Sequence, residues 1–168
     1  AVGALAMDAN TTGADNVAMG YGTLGLNTTG NLNVAIGKNA LTANTDATSN
    51  TAVGSGSMDA NTTGAYNTAI GTDSLTENTT GDFNVALGRA ALQSNTTADS
   101  NIAIGRNAMY ANTTGTRNLA IGALAYDASD TESDNIAIGH GAMSENTAGG
   151  TKNIAIGNYA MDALTSAD

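Results

Sequence analysis

The chain has 168 residues, a formal net charge of −10 at pH 7, no Trp, Pro or Cys, and only 4% aromatic residues. An acidic chain lacks the basic stripe that binds a phosphate backbone, so nucleic acid is not an expected partner. No apolar run is long enough to span a membrane, and so few large side chains argue against the core of an ordinary compact domain.

One motif repeats along the whole chain. The Asn that opens it recurs in 17-residue steps from Asn16 to Asn135, and the last copy opens at Asn153 after a step of 18, which fits the doubled Gly149-Gly150. We count ten copies of Asn-x-Ala-Φ-Gly-x-x-Ala-Leu/Met-x-x-Asn-Thr-Thr-Gly-x-x, where Φ is apolar. Such a period predicts a solenoid in which each coil covers the next. We expect residues 1–168 to be a single repeat array without a linker, excerpted from a longer fibre.

The first half of each copy, such as "NIAIG" at 101–105, predicts a short β-strand. Its first and third positions after the Asn are apolar or β-branched, and a spacing of two places both on one strand face. We assign that face to the core, together with the Leu or Met of the second half. The predicted core includes Ile36, Ile70, Leu87, Ile104, Ile121, Ile138, Ile156, Leu41, Leu75, Leu92, Met109 and Met143.

The strand position between these two is Ala in every copy. Because a solvent-facing position normally varies, an unbroken Ala column predicts close packing against another surface. We favour a neighbouring chain as that surface; the alternative is that small residues fit a narrow coil. The column comprises Ala18, Ala35, Ala52, Ala69, Ala86, Ala103, Ala120, Ala137 and Ala155.

The second half of each copy is compatible with a second short strand or with a helical or 3₁₀ turn, because Ala, Met, Leu, Glu, Gln and Arg favour helix. Stacked α-turns would crowd at a rise of ~4.8 Å per coil, and tight non-α turns would relieve this. The closing Asn-Thr-Thr-Gly is turn chemistry, and its Asn residues predict an amide ladder. The expected fold is mainly β: a parallel β-solenoid, or β-roll, of about ten 17-residue coils.

The combination of Asn-x-Ala-Ile-Gly, Ala-Leu and Asn-Thr-Thr-Gly resembles the repeat arrays of bacteriophage tail-fibre proteins, and its "VAIG" half is similar to the head repeats of YadA-type trimeric autotransporter adhesins. The unit here is longer than the adhesin repeat. The resemblance implies a stiff, non-enzymatic fibre shaft that is extracellular, at a cell surface or on a virion. It also implies self-association as a homotrimer or an end-to-end filament, and a host-surface receptor whose identity it does not give.

Motifs that suggest a cofactor, catalysis or a metal each have a simpler interpretation. "GYGTLG" at 20–25 matches a dinucleotide fingerprint, but Gly20 is the repeat glycine and no long helix is expected after it. His140 occupies a variable surface position that elsewhere holds Lys38, Arg89 or Arg106. Asp8, Asp59, Asp127 and Asp162 share a position in only four copies, which is too irregular for structural calcium. We therefore expect no enzyme activity, cofactor or metal.

Two further patterns concern the closing turn. Asn-Thr-Thr sequons, which are acceptors for N-glycosylation if the source glycosylates asparagine, begin at Asn10, Asn27, Asn61, Asn78, Asn95 and Asn112. A regular Thr column suggests an ice-binding solenoid as the alternative function, although the Thr residues lie in a turn. Its members are Thr11, Thr28, Thr45, Thr62, Thr79, Thr96, Thr113 and Thr147.

Overall fold

The computed structural model describes residues 1–128, 130–145 and 150–162. Nine three-residue strands form one parallel sheet in chain order, and no helix occurs in these ranges. The strands are β1 (Val17–Met19), β2 (Val34–Ile36), β3 (Thr51–Val53), β4 (Thr68–Ile70), β5 (Val85–Leu87), β6 (Ile102–Ile104), β7 (Leu119–Ile121), β8 (Ile136–Ile138) and β9 (Ile154–Ile156). An isolated bridge pairs Val2 with Met19 and adds a partial coil before β1. The predicted parallel β-solenoid is confirmed.

The register is uniform along the sheet. Equivalent residues of neighbouring copies pair directly, as Ala35 does with Ala52 and Ala52 with Ala69. Each internal strand bonds to both neighbours. At β2, the Val34 amide donates to the Asn50 carbonyl at 2.8 Å, and the Gly37 amide after the strand donates to the Met19 carbonyl at 2.8 Å. The additional residue between β8 and β9 leaves the pairing of Ala137 with Ala155 intact.

The glycine that follows each strand explains why the strands are so short. Gly37 has φ of 129°, and a Cβ atom placed on it would lie 2.5 Å from the carbonyl oxygen of Gly54. Only glycine adopts this conformation readily, and here only glycine leaves space for the next coil. The strand therefore ends at the same point in every coil.

The second half of each coil consists of turns. Residues in left-handed backbone conformation, such as Asn39 at φ 57° and Leu41 at φ 52°, alternate with residues of ordinary conformation. Their amides bond between coils, Leu41 to the Ser57 carbonyl at 3.0 Å and Asn39 to the Tyr21 carbonyl at 2.9 Å. These tight turns avoid the crowding that stacked α-turns would cause at strand spacing.

The interior of the coil is narrow, and this corrects the predicted core. The Ala column is at most 3% exposed and packs in one cluster with the Leu and Met column of the turn half. Leu41, Leu75, Leu92, Met109 and Met143 are fully buried, as predicted. The strand positions on either side of Ala point outward, because opposite a Leu or Met there is space for only a methyl group.

The prediction that the isoleucines of the strands form the core was therefore wrong. Ile36, Ile70 and Ile156 are 37%, 43% and 69% exposed. Leu87, Ile104, Ile121 and Ile138 are only partly buried. The favoured interpretation of the Ala column as an inter-chain surface was wrong as well, since each Ala is enclosed by its own coil, and the narrow-coil alternative is correct.

Candidate functional site

Two interior ladders of Asn side chains hold successive coils together. From Asn27 to Asn112, the Asn of the closing turn donates through Nδ2 to the Oδ1 atom of the preceding coil's Asn, as between Asn44 and Asn27 at 2.7 Å and between Asn78 and Asn61 at 2.8 Å. The same Nδ2 atom bonds the carbonyl three residues later, which for Asn78 is that of Gly81 at 3.0 Å. The predicted amide ladder is confirmed for the described residues; Asn146 lies outside them.

The second Asn ladder was not predicted. It is formed by the Asn that opens each motif, which is buried from Asn33 to Asn135. The backbone N–H of Asn50 donates to Oδ1 of Asn33 at 3.0 Å, and the side-chain Nδ2 of Asn50 donates to the Gly64 carbonyl at 2.8 Å. The sequence signal for this ladder was the Asn that is kept before every strand. A buried Asn is favourable only when its side-chain amide is fully hydrogen-bonded, so a repeated Asn next to a core strand indicates a hydrogen-bonded column.

Burial contradicts the interpretation of the sequons as glycosylation sites. Asn27, Asn61, Asn78, Asn95 and Asn112 are fully buried. In each, the nitrogen that a sugar would have to modify donates hydrogen bonds inside the coil. Asn10 is half-buried, and its Nδ2 donates to the Gly13 carbonyl at 3.0 Å.

The Thr residues of the closing turn form two columns of different character. In the predicted column, hydroxyls donate to the carbonyl of the next coil, as from Thr28 to Thr45 at 3.0 Å and from Thr79 to Thr96 at 3.0 Å. Thr147 lies outside the described residues. The following position forms an exposed column interrupted by Asp46, with members Thr12, Thr29, Thr63, Thr80, Thr97, Thr114 and Thr131.

The outward side of the sheet carries a row of apolar side chains, and we call it the outer face. It consists of the first and third residues of every strand, and none of them is charged. Its members are Val17, Met19, Val34, Ile36, Thr51, Val53, Thr68, Ile70, Val85, Leu87, Ile102, Ile104, Leu119, Ile121, Ile136, Ile138, Ile154 and Ile156. All of them are partly or fully exposed, and all but Thr51 and Thr68 are apolar. A largely apolar exposed surface of this length marks an interaction surface.

Columns of other exposed side chains border the outer face. The residue before each opening Asn includes Leu32, Tyr66 and Phe83, which are 56–58% exposed, and the Tyr66 and Phe83 rings stack with centroids 5.1 Å apart. Further along this column, Arg117 pairs with Asp134 at 2.6 Å. The hydrogen bond from Arg117 lowers the pKa of Asp134, and the same hydrogen bond raises the pKa of Arg117.

Among the described residues, the motifs that suggested cofactor, catalytic or metal chemistry are not brought together in one site. The glycines of "GYGTLG" lie in turns, and Gly22 and Gly25 line a surface groove of ≈ 240 Å³ together with Leu5, Tyr21 and Leu26. His140 is exposed and makes an edge contact with Tyr159. No three His, Cys, Asp or Glu side chains in the described parts of the chain are grouped to hold a metal ion.

Burial raises the pKa of Asp127; a hydrogen bond from its own backbone opposes the effect, and the neighbouring charge of Glu145 adds to it. Within the described residues there is no helix that is long and apolar enough to cross a membrane. Comparisons with protein-family models, curated protein sequences and solved structures return no match.

Proposed function

We propose that the chain is a non-enzymatic structural element, the stiff shaft of an extracellular fibre or filament at a cell surface or on a virion. The observation that carries this proposal is the unbroken stacking of coils from the Val2 bridge to β9, always in the same register. A shaft requires length and rigidity, and a solenoid supplies both through repetition.

Rigidity follows from the direction of the hydrogen bonds. The strand amides, about half of the turn amides and both Asn ladders connect one coil to the next, so these bonds run along the solenoid axis. Bending the rod would have to lengthen several of these bonds on one side at once. The buried amides also have no water to replace a lost partner, which makes each break costly.

In the proposed shaft three copies of the chain associate. The outer face gives them a reason to do so, because its apolar side chains lose water on association. The extracellular setting rests on the resemblance to tail-fibre arrays and trimeric adhesin heads. The net charge of −10 keeps the remaining surface soluble.

Removal of one coil tests the shaft directly. Deleting residues 50–66 removes one 17-residue period and joins Ser49 to Asn67, which restores the motif. We expect a folded protein whose long dimension, from small-angle X-ray scattering, is shorter by ~4.8 Å. Deleting residues 55–58 instead is the control; it leaves that coil 13 residues long (17 − 4) and removes the buried Met58, so the coil cannot close and the chain should unfold or split there. A compact particle whose shape does not depend on coil number would contradict the proposal.

The exposed Thr column favours a second candidate function, ice binding. Its hydroxyls recur at coil spacing and lie beside a column whose own hydroxyls are already bonded. Thermal hysteresis measured on the folded protein tests this function, with Thr80→Lys and Thr97→Lys as variants that should abolish the activity. Absence of hysteresis in the unmodified chain rules this candidate out and leaves the shaft proposal unaffected.

A further inference from the structure

The outer face is bordered by opposite charges on its two sides. The residue after each repeat glycine lies beyond the carboxyl end of the strand, and there Lys38, Arg89 and Arg106 are exposed. We call this column the basic edge. The two residues before the opening Asn lie beyond the amino end of the strand, where Asp15, Asp82, Asp99 and Asp134 occur. We call these positions the acidic edge.

We propose that copies of this chain associate through the outer face in parallel and in register, so that the basic edge of one copy lies against the acidic edge of the next. The inference rests on the proposed shaft and specifies its seam. It replaces the Ala column, which is enclosed in the coil, with the Val and Ile columns on either side of it.

Symmetry relates the edge charges to the direction of the chains. A rotation about an axis parallel to the solenoid, whether twofold or threefold, turns the faces together and places each basic edge against the neighbour's acidic edge. A twofold axis perpendicular to the solenoid also turns two faces together, but it places basic against basic and acidic against acidic. Like charges in close contact cost free energy. The edges therefore favour parallel association.

The charges also match level by level. Asp82 and Arg89 border the same strand, β5, and Asp99 and Arg106 both border β6. In-register copies thus bring Arg89 to the partner's Asp82 and Arg106 to the partner's Asp99. The acidic edge also holds two cations, Arg117 at β7 and Lys152 at β9, which would meet the uncharged Ala123 and Asn158. No level brings two like charges together.

The area is adequate for a stable complex. Nine strands at ~4.8 Å spacing give a length of roughly 40 Å, and the distance from edge to edge is about six residues, or roughly 20 Å. Each copy can therefore bury roughly 800 Å², and a pair twice that, which is the size of a standard specific interface. A second copy of this chain fits such a surface because it supplies the same length, flatness and spacing.

Disulfide trapping tests the direction of the chains, since the protein has no cysteine of its own. Val34→Cys and Ile36→Cys both lie on β2. Parallel in-register copies face each other with their strand directions reversed, so they bring residue 36 next to the partner's residue 34, and a mixture of the two variants should cross-link rapidly on mild oxidation. Antiparallel copies would instead place β2 against β8, and only a mixture of Ile36→Cys and Ile138→Cys would cross-link. Tyr110→Cys, exposed in the turn half that lies opposite the sheet, is the control for random collision and should stay uncross-linked.

Charge reversal tests the edges. Arg89→Glu loses its partner at β5 and should weaken association at least tenfold at low salt in sedimentation equilibrium. Lys38→Glu makes the same change in charge at a level whose opposing residues, Asn31 and Leu32, are uncharged, so it should have a much smaller effect. Equal effects of the two variants would overturn the edge pairing. Ile70→Lys should leave the circular dichroism spectrum unchanged and give single chains.

The outcomes separate this inference from the shaft itself. A rod that remains a single chain at high concentration overturns the parallel seam and the three-chain form of the shaft, but not the stiff rod that the coil deletion tests. A rod that cross-links only in the antiparallel mixture overturns the parallel seam alone. Association through another surface, shown by an Ile70→Lys variant that still assembles, overturns it in the same way. Loss of the rod shape in the coil-deletion experiment would overturn the shaft, and this inference with it.

Discussion

The coils that open at Asn33 to Asn101 and the later coil, which opens at Asn118, fill the same interior with different side chains. In the earlier coils the buried column of the turn half is Leu or Met, and the closing turn supplies an Asn to the ladder. In the later coil Tyr126 takes the core position, Glu132 takes a position otherwise held by Gly or Ala, and Ser129 replaces the ladder Asn. The strands on either side nevertheless pair in register, Ala120 with Ala137.

The later coil shows which features of the repeat can be exchanged. Oδ1 of Asn112, where the amide ladder stops, is buried and has no hydrogen-bond partner among the described residues. One coil further on, the Tyr126 hydroxyl accepts a hydrogen bond at 2.6 Å from Nδ2 of Asn135. A polar group on a core side chain has thus been added where an amide was lost. The Ala column and the glycine after each strand are kept in both regions.

Alanine at a repeat glycine should be the most damaging change, and equally so in both regions. Gly88 has φ of 132°, and a Cβ atom on it would lie 2.5 Å from the Gly105 carbonyl oxygen. Gly139, in the later region, has φ of 134° and would meet the Gly157 carbonyl in the same way. The strained backbone conformation of the alanine and the overlap of its methyl group with the next coil should together lower the free energy of unfolding by more than about 3 kcal/mol in each case. Urea unfolding measures the loss, and tolerance of Gly139→Ala alone would show that the later coil is looser.

Asn78→Ala should be the next most damaging change and should exceed Asn112→Ala. Asn78 uses both ends of its amide, donating to Asn61 and accepting from Asn95 at 2.8 Å. Its removal leaves buried groups unsatisfied on both sides, which should cost about 2–4 kcal/mol. Asn112 donates to Asn95 at 3.1 Å, but its own oxygen has no partner among the described residues, so its loss should cost about half as much. Equal losses in urea unfolding would mean that the ladder acts only within each coil.

The sequence predicted the solenoid because its strongest signal, a 17-residue period, relates directly to stacking. It misassigned the two faces of the strand because alternation identifies which residues share a face and not which face is inside. Large apolar residues such as Ile70 were placed inside by their hydrophobicity, whereas the coil has space there only for the methyl group of Ala69. The width of the interior depends on the turns, whose left-handed residues, such as Leu75 at φ 51°, no local pattern identified.

Tyr126→Phe should have a smaller effect, confined to the later coil. The substitution keeps the ring and removes the hydroxyl that accepts from Asn135, whose Nδ2 also donates to the Gly150 carbonyl at 2.9 Å. Because one partner remains, we expect a loss of about 1 kcal/mol. Tyr110→Phe, at an exposed position of a regular coil, is the control and should change stability by less than about 0.5 kcal/mol. A Tyr126→Phe variant as stable as this control would show that the hydroxyl does not compensate for the lost amide.

Asp127→Asn should have the smallest effect, and its sign should depend on pH. Burial raises the pKa of Asp127 above its ordinary 3.8, so the folded chain binds that proton more tightly than the unfolded chain does. The favourable contribution of this group is therefore fully present below pH 3.8 and is lost as the pH rises through the raised pKa. At neutral pH the charged carboxylate disfavours the fold, and the neutral amide of Asn should raise Tm slightly. Thermal melts at about pH 7 and about pH 3 should show the gain in Tm only at the higher pH, because near pH 3 the aspartate is itself mostly neutral.

Glu145→Gln removes the weaker, coulombic cause of the raised pKa of Asp127 and should give a smaller gain in Tm in the same direction. A loss of Tm in Asp127→Asn at neutral pH would mean that the carboxylate is held by a favourable partner, and that the later coil compensates with charge as well as with the Tyr126 hydroxyl.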